Sequence, residues 1–131
     1  MKVFIVEDAE LVREALKIML SEISGVTVVG SAVDEQDAIE QIEETHPDVV
    51  VLDISLQSGS GIEVLRTVKK SRPRIKVMML TNYTDDIYVR RCMSAGADYF
   101  FDKSFEFMRL SAVLRQLAFT GGLENKYVAL Q

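Results

Sequence analysis

The sequence is poor in the residues that make covalent or metal-built frameworks. It has one cysteine, one histidine and no tryptophan in 131 residues. A single thiol, Cys92, excludes an internal disulfide and fits a reducing cytosol, where its expected role is buried filler. A single imidazole, His46, cannot by itself form a zinc cage or a nucleophile–base relay, and beside Pro47 it reads as a loop residue. Positive charge is also in deficit: 15 Lys and Arg stand against 20 Asp and Glu, for a formal net charge of -5 and a pI near 4.9. That balance argues against a duplex-binding surface, which needs a basic footprint to displace counterions. Long apolar runs are missing too. The longest, such as Val49-Val50-Val51-Leu52, have the length of a strand and not of a membrane span. Met1-Lys2 leads into an apolar run that stops at Glu7-Asp8, so no signal peptide is expected.

What remains is enough for one compact core, since 48% of the residues are hydrophobic and they are spread along the chain. Five short apolar runs recur, at Val3–Val6, Val26–Val29, Val49–Leu52, Ile75–Leu80 and Tyr99–Phe101. Most are rich in β-branched residues, as strands buried on both faces should be. Helical spacing fills the intervals. Val12, Leu16, Met19 and Ile23 share one face, Ile39 with Ile42 and Leu65 with Val68 repeat the pattern, and Phe107, Leu110, Leu114 and Leu117 follow the fifth run. The fourth interval is weaker, with Tyr88, Cys92 and Ala95 as a thin stripe among polar residues.

The punctuation agrees with this division. His46-Pro47-Asp48 and Arg72-Pro73-Arg74 interrupt helices, Gly59 and Gly61 precede one, Gly96 follows one, and Thr84-Asp85-Asp86 offers N-cap chemistry. Alternating strands and helices with right-handed crossovers imply an α/β, flavodoxin-like, doubly wound sheet of five parallel strands in the order 2-1-3-4-5. Five helices would cover its two faces. Residues 1–120 form the expected domain. Gly121-Gly122 is expected to end the last helix, leaving 121–131 as a short tail or the start of a linker.

In such a sheet, ligands bind outside the carboxyl ends of the strands. Those ends carry Glu7-Asp8, Asp53, Thr81-Asn82 and Asp102-Lys103. Taken singly each has an ordinary explanation: Asp8 or Thr81 as a helix cap, Asp53 as a turn former, Lys103 as a solvated charge. Together they place three carboxylates on one rim, with a hydroxyl and an ammonium opposite. Crowded carboxylates repel, and a hard divalent cation with oxygen ligands, Mg²⁺, relieves the conflict. A carboxylate nucleophile, a cation, Lys103 and Thr81 would supply the parts of a phosphoryl-transfer site.

These residues resemble those of the receiver domains of two-component response regulators, over about Lys2 to Phe119. The resemblance lies in Val3-Phe4-Ile5-Val6-Glu7-Asp8, in Asp53 through Leu65 with its Ser58-Gly59-Ser60-Gly61 turn, in Met78-Met79-Leu80-Thr81, and in Ala95-Gly96-Ala97-Asp98-Tyr99-Phe100-Phe101-Asp102-Lys103. It implies that Asp53 is the phosphoacceptor, and that Asp8, Glu7, Asp53 and the backbone carbonyl of Ser55 hold Mg²⁺. It further implies that Thr81 and Lys103 bind phosphoryl oxygens and that Phe100 is the aromatic switch, with Tyr99 facing the other way. The implied partners are a histidine kinase or phosphotransfer protein and an unidentified downstream protein, with no nucleic acid or membrane. Dimerisation through the last helix or the fourth-helix face is compatible with it.

Three positions depart from the family pattern: Ser104 follows the lysine where proline is common, Asn82 follows the hydroxyl where a small residue is usual, and Gln57 stands where proline is common. Two other readings are a phosphorylation-independent interaction module and a flavodoxin-like flavin carrier. The flavin carrier needs a Ser/Thr/Gly-rich loop after the first strand, where this chain has Glu7-Asp8.

Overall fold

The structure, a computed structural model, describes residues 1–130, with side chains described through Thr120. Its elements alternate as β1 (Lys2–Val6), α1 (Glu10–Ser21), β2 (Thr27–Ala32), α2 (Glu35–Thr45), β3 (Val49–Leu52), α3 (Gly61–Ser71), β4 (Lys76–Thr81), α4 (Asp86–Ser94), β5 (Tyr99–Asp102) and α5 (Phe107–Leu130). All four strand pairs are parallel, and the order across the sheet is β2-β1-β3-β4-β5. The expected flavodoxin-like topology is therefore the one observed.

Two apolar layers enclose the sheet. Phe4, Val6, Val50, Leu52, Val77 and Met79 face Ala38 and Ile42 of α2, Ile62, Leu65 and Val68 of α3, and Cys92 of α4. Val3, Ile5, Val49, Val51, Met78, Leu80 and Phe101 face Leu16 and Leu20 of α1 and Leu110 and Leu114 of α5. Alternate residues of each strand thus enter opposite layers, so β1, β3 and β4 read as unbroken apolar runs. Of the expected α1 stripe, Leu16 is buried and Val12 and Met19 pack at the margin, while Ile23, also buried, lies in the turn past the end of the helix.

Local chemistry fixes the helix ends. The Asp34 side chain accepts the Asp37 N–H at 2.8 Å to start α2, and Ser60 Oγ accepts the Ile62 N–H at 3.1 Å to start α3. Lys69 and Lys70 lie in the last turn of α3, where cations suit the negative end of the helix. His46 takes the left-handed conformation that closes α2 before Pro47, with φ of 49°.

Several boundaries differ from expectation. β2 begins at Thr27 and runs on to Ala32 through Gly30 and Ser31. It lies at the sheet edge and is half-buried, so it needs no continuous apolar run, and its register with β1 breaks between Val3 and Phe4. Asp8 is not a helix cap: Ala9 occupies that place in α1, without a side-chain bond. Asp85 takes the N-cap place of α4 but its side chain makes no cap bond. Finally, α5 does not end at Gly121-Gly122 but continues to Leu130. A glycine inside a helix costs about 1 kcal/mol relative to alanine, and the Leu, Glu, Lys and Ala residues that follow favour helix. α4 is as weakly anchored as its pattern suggests, with Cys92 its one fully buried residue.

Candidate functional site

The carboxyl end of the sheet gathers charge that the rest of the interior lacks. β1 delivers Glu7 and Asp8, and neighbouring β3 delivers Asp53. One carboxylate oxygen from each lies within 4.8 Å of the others. Glu7 is 1% exposed and Asp53 5%, whereas Asp8 is open to solvent. The backbone around them is pinned: Asp53 N–H donates to the Val6 carbonyl at 3.1 Å, and Glu7 N–H to the Ala32 carbonyl at 3.0 Å.

Lys103 enters from the loop after β5. Its ammonium lies 2.6 Å from Asp53 Oδ2 and 2.7 Å from Glu7 Oε1. Burial works against this cation, but its hydrogen bonds to the two carboxylates outweigh that and raise it above the ordinary lysine value. For Glu7 burial prevails. It pushes the carboxyl up against the opposing pull of Lys103 and the Ala9 N–H, and Asp53 pushes the same way. One ammonium therefore serves two buried carboxylates, and a third stands exposed beside them. This donor set, all oxygen and short of positive charge, fits a hard divalent cation such as Mg²⁺.

Thr81 is fully buried at the end of β4, and its Oγ1 accepts the Tyr83 N–H at 3.2 Å. Its carbonyl accepts the Lys103 N–H at 2.9 Å, which ties the two strand ends together. Ser55 is exposed, and its N–H approaches Asp53 Oδ1 at 3.4 Å. Phe100 is half-buried and packs on the α2–α3–α4 layer, while Tyr99 packs on the α1–α5 layer, stacked on Phe101 with ring centres 6.1 Å apart. The opposite orientation of these neighbours is as expected from strand alternation.

Two of the departing residues meet each other. Ser104 Oγ donates to Asn82 Oδ1 at 3.1 Å, and Ser104 N–H donates to Asp102 Oδ1 at 2.8 Å. No cis peptide bond occurs among the described residues, so the Lys103–Ser104 link is trans. Gln57 N–H donates to the Val33 carbonyl at 3.0 Å, fastening the loop after Asp53 to the segment that follows β2.

Sequence reasoning missed three supports. Arg13 Nη1 donates to the Glu7 carbonyl at 3.1 Å. Glu35 Oε1 accepts the Ser60 N–H at 2.9 Å, joining α2 to the loop after Asp53. Gly61 lies so close to Asp53 that a Cβ there would fall 1.8 Å from the Asp53 carbonyl oxygen. No periodicity announces these contacts, because two are made across loops within a few residues and the Glu35–Ser60 tie joins segments 25 residues apart.

Comparison with known proteins gives consistent matches. The family model described as "Response regulator receiver domain" matches residues 3–115. Response regulator protein VraR of Staphylococcus saprophyticus is 36% identical over 115 residues, covering 88% of this chain and 55% of that protein. Response regulator GacA of Pseudomonas aeruginosa is 34% identical over 130 residues, covering 99% of this chain and 59% of that protein. The chain thus spans little more than half the length of these relatives. Among solved structures, the response regulator domain of Thermotoga maritima CheB superposes with a TM-score of 0.80 at 28% identity, covering 92% of this chain and 94% of that one.

Proposed function

The chain belongs to the response regulator receiver domain family of two-component systems, and on that premise we propose that it is a switch that takes a phosphoryl group on Asp53. The observation that carries this reading is the shared ammonium: Lys103 holds both Asp53 and Glu7, with Asp8 alongside. A buried carboxylate at a strand end, matched to a cation that can move onto a new anionic group, is the arrangement a phosphoacceptor needs.

In the proposed reaction a histidine kinase or phosphotransfer protein presents a phosphohistidine. An Asp53 carboxylate oxygen attacks phosphorus in line, the N–P bond breaks, and the imidazole leaves with the bonding pair. Lys103 shifts from Asp53 Oδ2 to a phosphoryl oxygen. Glu7, Asp8, Asp53 and the Ser55 carbonyl would hold Mg²⁺, which when bound supplies charge neutralisation at the phosphoryl oxygens. Thr81 turns its hydroxyl from the Tyr83 N–H toward the phosphoryl group, and Phe100 moves into the space released. The consequence is a change of population in α4, which has Cys92 as its one fully buried residue, and in β5 beside it.

Catalysis in this reading is confined to self-phosphorylation and self-dephosphorylation, and output passes to an unidentified downstream protein. No helix among the described residues is long and apolar enough to cross a membrane, and we assign the chain to the cytosol.

The test is intact mass after incubation with acetyl phosphate and Mg²⁺. Wild type should gain one phosphoryl group and Asp53→Asn none. No gain in wild type, where a control receiver is labelled, would leave an interaction module that has kept the fold without the chemistry.

A further inference from the structure

Charge along this chain is strongly segregated. Between Arg66 and Arg91 lie eight of its 15 Lys and Arg but two of its 20 Asp and Glu, so this stretch is basic within an acidic protein. Some of that charge is neutralised locally. Lys69 pairs with Asp98 at 2.7 Å, Arg72 with Glu43 at 2.7 Å, and Arg66 with Glu63 on its own helix. Arg90 and Arg91 of α4 form no ion pair with any described residue.

These two free guanidinium groups share a site with a third arginine, Arg66, which is already paired with Glu63. Arg66 of α3 and Arg90 and Arg91 of α4 line one hollow of about 250 Å³, completed by Ser94 and Ala95. Arg90 and Arg91 bring two uncompensated cations to this hollow, and guanidinium forks are suited to planar, bidentate capture of carboxylates.

We propose that this hollow docks a short acidic segment of a partner protein, with carboxylates seated between Arg66 on one side and Arg90 and Arg91 on the other. The residues outside 66–91 hold 18 Asp and Glu against seven Lys and Arg. An extended polyanion such as nucleic acid would be repelled by that acidic remainder, whereas a short segment meets the basic patch alone. Because the hollow joins α3 to α4, its occupant also ties the weakly anchored α4 to a helix with a fully buried face. The proposal stands apart from the chemistry of Asp53, and neither depends on the other.

The experiment is a titration of the ¹⁵N-labelled full chain with hexaglutamate, followed by amide chemical shifts. Saturable shifts should centre on Arg66, Arg90, Arg91, Ser94 and Ala95, and the affinity should fall at least tenfold between 50 and 300 mM NaCl. The exposed double variant Arg90→Gln/Arg91→Gln, checked for fold by circular dichroism, should lose at least tenfold. Arg109→Gln/Arg115→Gln on α5 should bind as wild type does. Shifts spread evenly over all cationic residues, or unchanged affinity in the α4 variant, would overturn the assignment. So would displacement by hexathymidylate at lower concentration, which points to nucleic acid. Salt-sensitive dimerisation abolished by the α4 variant would overturn it as well, and make the occupant a second copy of this chain.

Discussion

Lys103 and Asp53, fifty residues apart in the chain, are joined by the 2.6 Å contact between Nζ and Oδ2, with Glu7 on the same ammonium at 2.7 Å. Removing one partner of such a buried set strands the others without compensation, at a cost of about 3 kcal/mol. Lys103→Ala should therefore unfold at markedly lower urea concentration than wild type. Mg²⁺ should restore a larger share of the stability of the variant than it adds to wild type. Equal Mg²⁺ effects on the two proteins would mean that the cation does not enter among these carboxylates.

Asp8 differs from its neighbours in being exposed, so its removal should cost little in the absence of metal. Asp8→Asn is expected to match wild type within about 0.5 kcal/mol in chelator. It should nevertheless weaken Mg²⁺ binding at least tenfold by calorimetry. The reverse outcome, lost stability with Mg²⁺ affinity intact, would make Asp8 a structural residue.

Gly61 has no room for a side chain. Because an added Cβ would sit 1.8 Å from the Asp53 carbonyl oxygen, Gly61→Ala must move backbone and not merely a flexible side chain. We expect a loss of about 2–3 kcal/mol, together with slower phosphoryl uptake from acetyl phosphate, since the displaced atom belongs to the proposed acceptor. Unaltered uptake would show that the acceptor loop can shift without disturbing the carboxylate.

Leu11 is 86% exposed and Phe105 88%, and each lies within three residues of a site residue, Asp8 and Lys103. Large apolar groups so near the rim suit contact with a protein donor and have no part with a small one. Leu11→Ala/Phe105→Ala should label normally with acetyl phosphate but at least tenfold more slowly from a phosphorylated donor protein. Equal slowing with both donors would place the defect in the chemistry.

Burial raises the Cys92 thiol above its ordinary value, against the weaker pull of Arg91 and Arg66. The folded protein then keeps a proton that the unfolded chain releases at high pH, so this contribution to stability is present below about pH 8.5 and is lost as pH rises through the higher folded value. Iodoacetamide at pH 8 should modify native protein far more slowly than protein in urea. Rapid native labelling would mean that α4 opens readily enough to expose its one buried residue.

The topology was legible because β1, β3 and β4 are buried on both faces, and unbroken apolar runs such as Val49–Leu52 follow from that. Knowing which strands are neighbours then brings Glu7, Asp8 and Asp53 together without any further information. Features that depend on loop conformation or on contact between remote segments were not legible, among them the Gly61–Asp53 approach within one loop and the Glu35–Ser60 tie across 25 residues. Nor was the meeting of Asn82 with Ser104, two departures that look independent in sequence and share one hydrogen bond in space. The length of β2 was underestimated for a different reason. An edge strand takes its hydrogen bonds from one neighbour and tolerates Gly30 and Ser31, so hydrophobicity alone marks its beginning better than its end.

The alternation of Tyr99, Phe100 and Phe101 along β5 gives that short strand an unusual mechanical position. Its middle ring is held by one helical layer and the rings on either side by the other. A change that draws Phe100 inward cannot stay local, because the same backbone carries two stacked rings wedged against α5. Each layer therefore constrains how far the opposite one can relax. On the proposed switch, an event at the rim of the sheet would reach both outer surfaces through a strand of four residues, and a partner gripping either surface would pull back on the rim.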